Sequence, residues 1–179
     1  MRHSVINWLK TSKILTAEVE RQMSSSAQRF QQALEGLGIQ TQAIELPQST
    51  RTAKEAAEAI GCEIAQIAKS LIFRRLDTNR PVLVIASGAN RVDEEVVSNY
   101  IGTQITMAGA EFVRASTGYA IGGVPPFGHI VPINDIIIDQ DLLKYDVVWA
   151  AAGTPRSVFP ISPEKLVEVV AGHVRRVAK

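Results

Sequence analysis

The amino-acid sequence predicts one α/β domain built on a mixed β-sheet. Stretches with helical spacing alternate with short β-branched runs along most of the chain, the pattern of strands covered by helices. Two of those runs, residues 69–75 and 81–86, are separated only by the polar loop Asp77-Thr78-Asn79-Arg80 and so predict an antiparallel hairpin. No GxGxxG follows a strand and there is no Walker loop, which argues against a regular doubly wound nucleotide fold.

Each element has a local reason. Ala27, Phe30, Leu34 and Leu37 fall on one helical face, with serines before them and Gly38 after. Residues 43–46 read as a short strand that Pro47 ends. Thr52 and Glu55 form a capping box for an alanine-rich helix that stops at Gly61, and a helical turn is expected over 63–67. After the hairpin, Asp93 caps a helix running to about Tyr100, closed by Gly102. A brief strand (104–107) and a short helix (110–115) precede the glycine- and proline-rich run 117–128. Strands are expected over 130–133, 136–138, 147–150 and 157–161, with a helical turn over 139–144. Ser162, Pro163 and Glu164 then supply the cap, first-turn proline and first-turn acid of a C-terminal helix.

The chain has 179 residues, the length of one domain, and is 46% hydrophobic and 21% charged, too apolar to stay disordered. Residues 1–22 read as an N-terminal appendage, with Val5, Trp8, Leu9 and Leu15 loosely on one face, and the domain is expected over 23–179. Nineteen basic and 18 acidic side chains give a net charge of +1, which excludes a polycation that coats nucleic acid. A single cysteine, Cys62, excludes a disulfide framework, and His3, His129 and His173 follow no metal-ligand spacing. No run approaches the roughly 18 apolar residues of a membrane helix. A soluble, cytoplasmic protein with no metal and no cofactor is expected.

Strand alternation places Lys69 with Ile67, Leu71 and Phe73, the bulkier face, which reads as the inward one; Ala68 and Ser70 lie on the other. A lysine there either packs its stem and leaves its ammonium in water, or faces a ligand cavity. In TGYAIGGVPPFGH, residues 117–129, four glycines and two prolines bracket apolar side chains. Such a loop is either an irregular connection or a stiff pocket floor that aims amide N–H groups at a carbonyl or oxyanion. His129 is a hydrogen-bonded structural residue or, in a different hydrolase, a general base. Ser87, Gly88 and Asn90 follow a strand as a plain turn or a polar pocket rim. Arg74, Arg75, Arg80 and Arg91 form a solvated edge or a phosphate patch. No GxSxG elbow is present, so hydrolysis would rely on backbone dipoles, a lysine and a group of the substrate itself.

Together, IAKSLIF, SGANRVDEE and GGVPPFGH resemble the YbaK/EbsC family, free-standing relatives of the bacterial prolyl-tRNA synthetase editing insertion, from about Ser25 to the C-terminus. The resemblance implies a compact α/β fold with a curved, mixed, barrel-like sheet surrounded by helices. It implies hydrolysis of the ester joining a wrong amino acid to tRNA, typically tRNA for proline, with the tRNA acceptor end as partner and prolyl-tRNA synthetase as a second one. It makes Lys69 the lysine on which family activity depends, and Gly122 and Pro126 the ends of a GxxxP loop whose amides, around Gly122 and Gly123, bind near the aminoacyl carbonyl. Ile121, Val124 and Phe127 would size the amino-acid pocket, and Gly128 and His129 follow the loop. The cysteine-removing branch carries a serine where this chain has AAGTPR (151–156), so the closer likeness is to branches that handle alanine or 2-aminobutyrate. A pocket that binds an aminoacyl or nucleotide ligand without hydrolysing it is the alternative.

Overall fold

The computed structural model describes residues 24–50 and 52–179, so the expected appendage over 1–22 lies outside the described residues. Ser24 opens α1 (Ser25–Gly36) by accepting the Ala27 amide, and the apolar spacing buries Ala27, Phe30 and Leu34. Leu37 is the C-cap and is exposed. After β1 (Ile44–Glu45), the capping box of Thr52 and Glu55 starts α2 (Ala53–Ile60), which Gly61 ends in the left-handed conformation. A 3-10 turn (Ile64–Gln66) leads into β2 (Ile67–Arg75), which pairs with β3 (Pro81–Ser87) as the predicted hairpin. Asp93 caps α3 (Glu94–Ile101), followed by β4 (Ile105–Met107) and α4 (Ala110–Thr117). The second half adds β5 (Asp135–Asp139), a 3-10 turn (Gln140–Lys144), β6 (Val148–Ala151), β7 (Ser157–Ile161), α5 (Pro163–Val170) and β8 (His173–Arg175).

The eight strands form one mixed sheet in the order β1-β7-β6-β2-β3-β5-β8, with β4 paired to β2 off this path. β2 runs antiparallel to β3 and parallel to β6, and β3 runs parallel to β5. The predicted mixed α/β architecture is therefore the observed one. Both faces of the central strands are covered. Ala68, Ile72, Leu83 and Ile85 meet the larger core, which includes Phe30, Val124 and Phe159, while Phe73, Val82 and Val84 meet a second cluster with Val97 and Ile137.

Two local expectations fail. Residues 130–133 are irregular rather than a strand, because the Ile130 and Val131 amides turn back to the Thr117 and Ser116 carbonyls and Pro132 brings no donor to a ladder. The C-terminal β8 was not expected, since three residues carry almost no periodicity. It forms because Gly172 lies against β5, where an added Cβ would come within 2.7 Å of Ile136 Cγ2.

Phe30, Phe127 and Phe159 pack with ring centroids 4.8–5.8 Å apart and join α1, the 117–128 loop and β7. Phe127→Ala should lower stability by about 3–5 kcal/mol, the usual range for an aromatic removed from a core, read as an earlier midpoint in denaturant unfolding.

Candidate active site

The sheet is interrupted along one edge of β2. β6 pairs with it only at Ile67 and Ala68, and β4 only from Phe73 onward, with the Ala108 amide reaching Ile72 O at 3.0 Å. Ser70 lies between these partners and has no strand beside it. A cavity of about 380 Å³ opens there, within the roughly 300–1,000 Å³ of small-ligand sites. Its walls come from β2, α2, the 117–128 loop and the Thr154-Pro155 turn, and its apolar lining includes Ile72, Ala108, Val113, Val124 and Ala150. Ile121 and Met107 stand at the mouth, 57% and 51% exposed.

Lys69 lines this cavity and is the one ionisable side chain to do so among the described residues. Its face is not the principal inward one. The small-residue face (Ala68, Ser70, Ile72) meets the larger core, because the 117–128 loop and β6 pack closely there, while Leu71 and Phe73 turn to the second cluster. The ammonium donates to the Asn90 carbonyl at 2.7 Å. Burial pulls the Lys69 pKa below the ordinary lysine value, and the Asp139 charge partly offsets this.

Asn90 is fixed from below. Its side-chain amide donates to Asp139 Oδ2 at 2.8 Å and Asp141 Oδ2 at 2.7 Å, and the Ser87 amide also donates to Asp139 Oδ2 at 3.0 Å. The Ser87 hydroxyl donates to Ala65 O, and the Gly88 amide to Ile67 O. A Cβ on Gly88 would overlap the Ile64 carbonyl. Ser87, Gly88 and Asn90 thus do not line the cavity; they form the turn that receives the lysine. Asn90→Ala keeps the carbonyl but frees the turn, and a drop of about tenfold in turnover with little loss of fold is expected in single-turnover assays.

The glycine-rich loop is clamped at both ends. Arg29 donates to Gly118 O at 2.6 Å and covers the Tyr119 ring, whose hydroxyl donates to Gly128 O. At the other end Gly153 N–H donates to Gly123 O. Gly122 has φ +87° and lines the cavity with Ile121 and Val124. The Gly123 amide is spent in a turn to Ala120 O, and an added Cβ there would lie 2.6 Å from Thr154 Cα. The amides of Gly122 and Val124 have no acceptor among the described residues. Gly123 therefore serves close backbone packing, and the free donors flank it.

Four other expected residues stand away from the cavity. Phe127 is in the aromatic core and Pro126 is buried beside it. Gly128 lies against Ala33 of α1. His129 Nε2–H donates to Pro125 O at 2.8 Å, and burial pushes its pKa below the usual histidine value, so the neutral ring staples the loop. Arg75 is held by Asp77 and Asp135, which breaks up the arginine patch read from sequence. Sequence reasoning missed Ser70, Ala108, Val113 and the Thr154-Pro155 turn, which carry no motif. No helix among the described residues is long and apolar enough to cross a membrane.

A mixed sheet split beside a lysine and faced by a glycine-rich loop is the arrangement of an editing-type domain. The chain belongs to the aminoacyl-tRNA editing domain family, whose family model matches residues 47–169. It is 32% identical to YwhH of Bacillus subtilis over 124 residues, which cover 69% of this chain and 78% of that protein. It is 34% identical to the proline–tRNA ligase of Limosilactobacillus fermentum over 95 residues, 51% of this chain but only 16% of the ligase. Among solved structures it resembles a candidate trans-editing enzyme for prolyl tRNA synthetase (TM-score 0.83, 44% identity, 88% of this chain and 99% of that one). It also resembles the protein APE2540 (TM-score 0.76, 27% identity, 84% of this chain and 99% of that one).

Proposed function

We propose that this chain hydrolyses, in trans, the ester of mischarged tRNA for proline bearing a small amino acid such as alanine, 2-aminobutyrate or cysteine. One observation carries the reading: a lone ammonium and two unpartnered loop amides border the same apolar cavity. The ester carbonyl oxygen accepts from the Gly122 and Val124 amides, which stabilise the charge that develops on it; such donors contribute a few kcal/mol each. Lys69 holds the terminal phosphate or ribose and keeps the ester in register.

The cavity offers no side-chain base, so the nucleophile is a water or the neighbouring ribose hydroxyl. With water, the oxygen adds to the carbonyl carbon and the ester C–O bond then breaks. The water proton passes to the departing ribose oxygen, and the amino acid leaves with free tRNA. Ala-lined and Val-lined walls accept small apolar side chains, and selectivity comes from exclusion of larger ones.

The test is a panel of tRNAs for proline charged with alanine, cysteine, serine, 2-aminobutyrate and proline. Faster release of at least one small amino acid than in buffer alone, with prolyl-tRNA spared, is expected. No acceleration with any member refutes deacylation and leaves a binding module.

A further inference from the structure

We propose that the unpartnered edge of β2 at Ser70 is the subsite for a free α-ammonium group, so that the chain acts on aminoacyl esters with an unblocked amine and spares N-acylated ones. This rests on the deacylase reading above and specifies its substrate class.

Main-chain groups of alternate strand residues point the same way. Ile67 O accepts from Gly88 on the β3 side, whereas Ile72 O accepts from Ala108 on the opposite side. Ser70 therefore turns its N–H and C=O toward the β4 and β6 side, at the position where neither strand is paired to it. Its hydroxyl is buried and has no hydrogen-bond partner. An unmade buried hydrogen bond is a cost that native structures rarely leave standing without a reason.

The other hydroxyls that line the cavity are committed. Thr154 Oγ1 and Ser157 Oγ bond each other at 2.7 Å, Thr50 Oγ1 donates to Pro155 O, and Thr52 Oγ1 accepts the Glu55 amide. Ser70 alone brings a carbonyl and an unpartnered hydroxyl to this space among the described residues, both able to accept.

An aminoacyl ester has one strong donor near its carbonyl, the α-ammonium. With the carbonyl on the Gly122 and Val124 amides, the ammonium meets the opposite wall, where Ser70 C=O and, after rotation about one side-chain bond, Oγ accept from it. Lys69 and Ser70 lie on opposite faces of β2, which keeps the two cations apart. N-acylation removes the charge and two donors and adds bulk against the strand edge, so peptidyl-type esters lose the contact.

The probes are an alanyl-amide analogue of the terminal adenosine, with an amide in place of the ester, and its N-acetyl derivative. Binding is measured by calorimetry to wild type, Ser70→Ala and Ser70→Thr. Wild type should prefer the free amine by about tenfold, the scale of one charge-assisted hydrogen bond. Ser70→Ala, which only deletes an unpaired hydroxyl and should fold normally, should lose most of that preference, and Ser70→Thr should keep it. Equal binding of the two probes by wild type, binding of neither, or an undiminished preference in Ser70→Ala overturns the subsite. Failure of deacylation itself is read separately, from the mischarged tRNA panel.

Discussion

Lys69→Ala is expected to reduce deacylation of the best mischarged tRNA by roughly hundredfold or more, the scale seen when a substrate loses its register. The fold should remain, because the side chain spans the edge of a cavity and not a packed interior. Lys69→Met makes the point more sharply. The native ammonium is held partly out of water, so its pKa in the folded chain lies below that of the unfolded chain. The unfolded state then binds more protons in the interval between the two values, and stability rises with pH across it. Below that interval the charged lysine works against folding, so Lys69→Met should unfold no earlier than wild type near neutral pH while losing activity. A variant that keeps wild-type turnover removes the lysine from the reaction. For wild type, activity after subtraction of spontaneous ester hydrolysis should decline at a pH below the ordinary lysine value of 10.5. Asp139→Asn should move that decline lower still, since it deletes the charge that supports the ammonium.

Gly123→Ala is expected to abolish most activity by a different route. The backbone at Gly123 is not in the left-handed region, so alanine meets no conformational penalty there. The obstacle is steric. The new methyl would sit 2.6 Å from Thr154 Cα and 2.8 Å from its neighbouring backbone atoms, and none of these can swing aside as a side-chain tip would. The loop must lift from the turn after β6, breaking the Gly153-to-Gly123 hydrogen bond and displacing the donors on either side. Overpacking of this kind costs about 1–3 kcal/mol, measurable by denaturant unfolding, and the loss of turnover should exceed the loss of stability. Gly122→Ala provides the contrast: its Cβ would find ordinary contact with Pro155 at 3.5 Å, but φ +87° strains any L side chain. Wild-type turnover in Gly123→Ala would dissociate this loop from the chemistry.

The helices were legible because their signals are local. Thr52 with Glu55, Asp93, and Ser162 with Pro163 each start a helix where the chain says they should, since a cap needs only neighbours three residues away. The hairpin was legible for the same reason. The site was legible only in part. Lys69 and Gly122 could be singled out, one as a charge in an apolar strand and the other as a glycine in a stiff loop. The face of Lys69 was misassigned because alternation assumes one buried side, and β2 is covered on both. Phe127 read as a pocket wall because a loop aromatic next to glycines gives no sign that Phe30 and Phe159 surround it.

By itself, the order of residues determined a mixed α/β domain, its helix ends and the two anomalies that point to chemistry. Those follow from periodicity, capping and backbone stiffness, which act over a few residues. Tertiary structure alone decided that β6 leaves β2 after Ala68 and β4 joins only at Phe73, that a cavity fills the interval, and that the 87–90 turn receives the ammonium. These depend on strand register between segments far apart in the chain, and register is set by the packing of both sheet faces at once.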